Sequence, residues 1–215
     1  MHLSTFLPAV LGALVSVTSA HGVVRKPAYT RQPGAATAAA CGQNLVTFYK
    51  QDETSYPEAF LRSYPRPTDA QKCNLWLCKG YQFADNAANV QSYKAGDVID
   101  LEVFIRIPHK GYANVSVVDT TTNKVVGTPL ISWADNYAAS LNPPANQVKF
   151  SVKVPTGLEE KCATAGTCVL QWHWFGQGQT YQSCIDFTVP AAAAAPVVDA
   201  GHEHARRGIR GQTYY

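Results

Sequence analysis

Alternation of apolar and polar residues is the feature that most narrows what this chain can fold into. Ile99, Leu101, Val103, Ile105 and Ile107 are interleaved with Asp100, Glu102 and Arg106. Val148, Phe150, Val152 and Val154 are interleaved in the same way with Lys149, Ser151 and Lys153. A period of two puts one set of side chains on each face of a strand. Shorter runs of this kind cover Asn114–Asp119, Cys168–Phe175 and Cys184–Val189, and turn-forming clusters such as Ala95-Gly96-Asp97 and Leu141-Asn142-Pro143-Pro144 separate them. Strands punctuated by turns predict an all-β fold, an antiparallel β-sandwich of immunoglobulin or fibronectin-III type. Residues 41–92 are less regular, and Thr68–Phe83 reads as a short helix or loop insertion.

The ends follow different rules. Phe6–Thr18 is an apolar run, broken by Pro8 and Gly12, and small residues lead up to Ala20. It is too short for a membrane anchor and has the form of a secretory signal cut after Ala20. The domain organisation expected is a signal peptide over 1–20, one sandwich over 21–190 and a disordered tail over 191–215. Five alanines, the segment Gly201-His202-Glu203-His204-Ala205-Arg206-Arg207 and a glycine-rich end give that tail little to bury. His202 and His204 have no fold to fix them as metal ligands.

Composition excludes some partners. Eighteen Lys and Arg against 15 Asp and Glu leave a net charge of +3, and the basic residues are scattered. A nucleic-acid binder concentrates them into a stripe, so neither nucleic acid nor a membrane surface is expected as partner. The six cysteines suit three disulfides in a secreted, extracellular protein. Six cysteines allow fifteen connectivities. The short spacings favour Cys73–Cys78 and Cys162–Cys168 as local clips, which leaves Cys41 for Cys184. A zinc site would call for paired cysteines or Cys/His sets.

Cleavage after Ala20 would make His21 the first residue of the mature protein. Such a histidine carries two ligands, its α-amine and its imidazole Nδ1, which can close a chelate ring on one metal ion. One imidazole from elsewhere completes a planar set of three nitrogens, a donor set that suits copper. The other core histidines are His109 and His173. His109 follows Pro108 at a strand-to-loop corner, where sheet pairing ends. His173 sits between Trp172 and Trp174 in an apolar strand and reads equally well as packing.

His21-Gly22, His109-Lys110-Gly111 and the closing run Gln179-Thr180-Tyr181-Gln182-Ser183-Cys184 together resemble the lytic polysaccharide monooxygenases. The order of Leu77-Cys78-Lys79-Gly80-Tyr81, Phe83-Ala84-Asp85-Asn86 and Asn114-Val115-Ser116-Val117-Val118-Asp119-Thr120 is most similar to the fungal auxiliary-activity family sixteen. The resemblance spans nearly all of residues 21–189. It implies one copper ion held by the His21 amine, the His21 side chain and the His109 side chain. It also implies Tyr181 over one axial face and Gln179 assisting oxygen activation. A residue of the strand Val169–Phe175 would approach from the second sphere, with Trp172 in register and His173 the weaker candidate.

The activity so implied is oxidation of a glycosidic carbon by oxygen or hydrogen peroxide, with electrons from an external donor, in a monomer acting on an insoluble polysaccharide. Cellulose is the first substrate suggested, chitin or hemicellulose the next. Tyr29 and Tyr112 are candidates for stacking on sugar rings. Asn114 heads the one N-glycosylation sequon found. Two other classes fit the same residues: a copper-binding protein without oxidative turnover, and a non-catalytic carbohydrate-binding sandwich in which His21 has no role.

Overall fold

The computed structural model describes residues 21–191. The expected signal peptide and the tail beyond Ala191, with His202 and His204, lie outside the described residues. Strand β1 (His21–Lys26) opens the domain, and four helices follow: α1 (Ala35–Cys41), α2 (Gln43–Gln51), α3 (Pro57–Ser63) and α4 (Ala70–Cys73). The strands then run β2 (Gln91–Ser92), β3 (Val98–Ile107), β4 (Gly111–Asp119), β5 (Lys124–Val125) and β6 (Ile131–Tyr137). A one-turn helix α5 (Ala145–Val148) leads into β7 (Lys149–Lys153), and β8 (Cys168–Gly176) and β9 (Gln179–Thr188) complete the fold.

Two sheets form. The smaller has the order β1-β3-β7, and the larger has β2-β9-β8-β4-β5 with β6 also paired to β4. All pairings are antiparallel except the short β2–β9 contact, which is parallel. The all-β sandwich is therefore what the alternation predicted. Leu101 and Val103 of the small sheet meet Val115, Val117, Leu170, Trp172, Trp174, Ile185 and Phe187 of the large one in a single core. Each core position repeats every second residue, so the opposite face of the large sheet needs its own cover. The helical insertion supplies it, with Leu77 and Cys78 packed on Val118, Val169 and Cys184.

The insertion is more helical than the sequence suggested, and it changes two disulfides. Cys41 is joined to Cys73 and Cys78 to Cys184, while Cys162–Cys168 is the clip expected. The expected Cys41–Cys184 and Cys73–Cys78 pairs are thus replaced. Helix α4 ends at Cys73 beside the end of α1, and left-handed Asn74 turns the chain so that Cys78 reaches β9. Gly80 is needed here: its φ is +79°, and a Cβ would lie 2.9 Å from the Cys41 sulfur.

Polar contacts tie the insertion together and join it to the sandwich. The Asp85 carboxylate accepts from the backbone N–H groups of Gly34, Ala36 and Thr37, satisfying the start of α1. Arg31 donates in bidentate fashion to Asp186 of β9 at 2.7 and 2.6 Å and to the Tyr81 carbonyl at 2.9 Å.

Candidate functional site

Strand register brings the candidate residues to one end of the sandwich. His21 pairs with Ile107, two residues before His109. Gly111 of β4 pairs with Gly176 of β8, which in turn pairs with Gln179 of β9. The β8–β9 turn is Gln177-Gly178, with φ of +51° and +77°. Both residues being left-handed matches the tight hairpin whose twist suits antiparallel strands. That turn fixes the register placing Tyr181 opposite Trp174.

Backbones approach closely here. A Cβ on Gly176 would lie 2.6 Å from the His109 carbonyl oxygen, and one on Gly111 would lie 1.9 Å from that of Phe175. The turn carrying His109 is therefore seated on the β8–β9 hairpin, and His109 is only 3% exposed.

Tyr181 is fully buried in an aromatic cluster. Its ring stacks on Trp174 with centroids 4.3 Å apart, and Tyr56 lies 5.3 Å away on another side. Its hydroxyl donates to Gln179 Oε1, and loss of hydration holds its pKa far above the usual phenol range. Helix α3 borders the cluster: Glu58 accepts from the Thr180 N–H and hydroxyl, and Arg62 donates to the Tyr56 hydroxyl.

His21 meets an acid that the sequence reading did not single out. Its Nε2 is 3.0 Å from Asp52 Oδ2, which also lies 3.3 Å from Arg106 Nη1. The Gly22 N–H donates to the Thr54 carbonyl two residues further on, at 3.0 Å. Beneath this turn Lys79 is wholly buried and donates to the Glu53 carbonyl at 2.6 Å. Burial lowers the Lys79 pKa to about 7, while the carboxylates of Asp52 and Glu53 pull it up.

Other candidates are placed differently. Trp172 and Trp174 share the core face, and a Cβ on Gly22 would meet both indoles, at 3.3 and 3.0 Å. Trp172 lies one step deeper, donating to the Tyr137 hydroxyl at 3.2 Å, so Trp174 rather than Trp172 contacts Tyr181. His173 points to the opposite face of the sheet, stacked with Tyr112, and burial lowers its pKa. It is not part of the Tyr181 cluster. Tyr112 is 44% exposed, on the flank next to Gly111.

Tyr29 does not reach this end. Its hydroxyl pairs with that of Tyr93, which packs on Phe187. Phe187 is eight residues along β9 from Gln179, about 27 Å at strand rise. Asn114 is half-buried on the outer face between Ser132 and His173, and its Oδ1 accepts from the Ser116 hydroxyl at 3.0 Å.

Among the described residues no three His, Cys, Asp or Glu side chains gather as a metal-binding group. A metal at this end would therefore need a ligand beyond side chains of those types. The α-amine that cleavage before His21 would expose is such a ligand. With two imidazoles it makes a set of three uncharged nitrogens, which fits copper better than calcium or magnesium. No helix among the described residues is long and apolar enough to cross a membrane.

A disulfide-linked β-sandwich with two histidines at one end is the class that fold and geometry define. The family model described as lytic polysaccharide mono-oxygenase, cellulose-degrading, matches residues 21–187. The chain belongs to this family. Among solved structures it is similar to a chitin-binding domain from Burkholderia pseudomallei, with 15% identity and a TM-score of 0.38, over 79% of this chain and 99% of that one. It is also similar to a cellulose-active lytic polysaccharide monooxygenase solved in complex with copper, with 14% identity and a TM-score of 0.37, over 80% and 100% of the chains. A third is a lytic polysaccharide monooxygenase from Thermobia domestica in its Cu(I) state, with 17% identity and a TM-score of 0.29, over 50% and 67%. No curated protein sequence matches the chain.

Proposed function

We propose that the mature, secreted protein is a copper-dependent monooxygenase that breaks polysaccharide chains oxidatively, with cellulose as its first substrate, and that it falls within the fungal auxiliary-activity family sixteen. The observation that carries this reading is the register of His21 with Ile107, which sets the first residue of the family match two positions from His109.

The α-amine and imidazole of His21 and the imidazole of His109 would hold the metal. When bound, copper supplies one-electron chemistry toward oxygen or hydrogen peroxide, fed by an external donor. The remaining work belongs to the chain. Tyr181 is held rigid by Trp174 and Tyr56 and excludes water from one side. Gln179 accepts from the tyrosine hydroxyl, which fixes its amide so that the NH₂ group is the donor it presents. Tyr112, exposed on the flank, offers a ring face for a sugar.

Incubation of the protein with cellulose, chitin or xylan and a reductant tests the reading. Oxidised oligosaccharides from cellulose, lost in His109→Ala, are expected. Tight copper binding without oxidised products from any of the three would make the protein a copper carrier instead. A secreted chain whose N-terminus is not His21 by mass spectrometry would remove the ligand set altogether.

A further inference from the structure

We infer that Asp52 is the positioning residue that fixes the tautomer and orientation of the His21 ring, so that Nδ1 is the nitrogen presented to the metal; this rests on the copper reading above. Asp52 follows directly on α2, its N–H donating to the Phe48 carbonyl at 3.2 Å. Its two oxygens have separate tasks. Oδ1 accepts from the Thr54 N–H at 3.0 Å and from the Thr54 hydroxyl, which locks the carboxylate over its own turn. Oδ2 faces His21 Nε2 at 3.0 Å and Arg106 Nη1 at 3.3 Å.

An ionised carboxylate can only accept hydrogen bonds. A neutral imidazole facing it must therefore carry its proton on Nε2, which leaves the lone pair on Nδ1. Only Nδ1 lies close enough to the α-amine of the same residue to close a chelate ring with it. The opposite tautomer would put a proton where the metal must bind. Asp52 thus selects the ligating form before any metal arrives, and Arg106 holds the same Oδ2 from another side.

The turn also fixes the main chain of the ligand. Thr54, which clamps Asp52, accepts the Gly22 N–H through its carbonyl. Lys79 holds the intervening Glu53 carbonyl from below. One three-residue turn therefore holds both the ring of His21 and the backbone next to its α-nitrogen. An ordinary surface ion pair would add little to stability and would leave the tautomer unspecified.

The test uses the mature protein beginning at His21, as wild type and with Asp52→Ala, Asp52→Asn or Glu160→Gln. Two-bond nitrogen–proton correlation spectra of the histidine rings, taken without metal, report which nitrogen is protonated. Competition titration reports copper(II) affinity. Wild type is expected to show the Nε2–H form. Asp52→Ala should show a mixture and lose about 10- to 100-fold in affinity, the usual range for removing a partner of a metal-ligating histidine. Asp52→Asn leaves one acceptor oxygen for two tasks and turns an NH₂ group toward either the Thr54 N–H or His21 Nε2. It should lose the Nε2–H preference and the affinity as the alanine variant does, and keeps the test decisive if that variant misfolds. Glu160→Gln removes an exposed charge near the Cys162–Cys168 clip, away from His21, and should match wild type. Wild-type affinity and an unchanged tautomer in both Asp52 variants would overturn the role of Asp52 alone. A wild type that takes up no copper overturns the copper reading and this role with it.

Discussion

Trp174 and Tyr181 face each other across β8 and β9 with ring centroids 4.3 Å apart and planes inclined by only 26°. They are direct cross-strand partners, so the hairpin turn decides their contact and each ring limits the other's motion. With Tyr56 on a further side, Tyr181 has no room to swing. The phenol and the amide of Gln179 are thus presented by a rigid strand rather than by a loop.

Tyr181→Phe keeps this stacking and loses only the hydrogen bond to Gln179. We expect it to unfold in urea within about 1 kcal/mol of wild type. Tyr181→Ala leaves a cavity against Trp174 and should cost about 3–5 kcal/mol.

Gly176→Ala would push the His109 carbonyl, which lies 2.6 Å from the new Cβ. Backbone blocks this contact, so the His109 turn must move. Lower stability and weaker copper binding are expected together in calorimetry. A variant with normal copper affinity would mean that the turn yields without moving its imidazole.

Lys79 makes stability depend on pH. Its pKa is about 7 in the folded protein against an ordinary 10.5. Between those values the unfolded chain binds more protons, so stability rises with pH across this window. Below about pH 7 both states are protonated and the cost of burying the charge is borne in full. Lys79→Met removes the dependence. Wild type should therefore gain on the variant in urea midpoint as pH rises from about 7 toward about 10.

The disulfides differ in the loops they close. Cys78–Cys184 spans 106 residues and Cys162–Cys168 spans 6. Chain-entropy arguments give about 4–5 kcal/mol for the first and about 2 for the second. Paired Cys→Ser variants should follow that order in thermal melting, and the reverse order would show that native packing outweighs loop length.

The β-sandwich was legible in the sequence because a period of two survives wherever one face of a strand is buried. That is why Leu101 and Val103, or Trp172 and Trp174, could be placed on one face from their spacing. His21 and His109 stood out by chemistry and by position, before any geometry was known. Asp52 carried no such mark: it reads as the polar residue after a helix, and only the bonding of the turn after α2 to β1 aims it at His21. Tyr56, Glu58 and Arg62 were hidden for the same reason, at the start of and along a short helix within an irregular stretch.

Cysteine spacing misled because nearness in sequence is a guide to pairing only where the chain between is a simple loop. Here the left-handed turn at Asn74 separates Cys73 from Cys78 and sends them to different partners. Tyr29 is set apart by position, since eight residues of strand lie between its end of the sandwich and Gln179. The sequence by itself determined which residues of each strand share a face and which nitrogen donors the proposed copper site can draw on, because both follow from residue type and local periodicity. Tertiary structure alone decided which side chains surround those ligands, because contacts between the helical insertion and the sheet join residues with no local relation to one another.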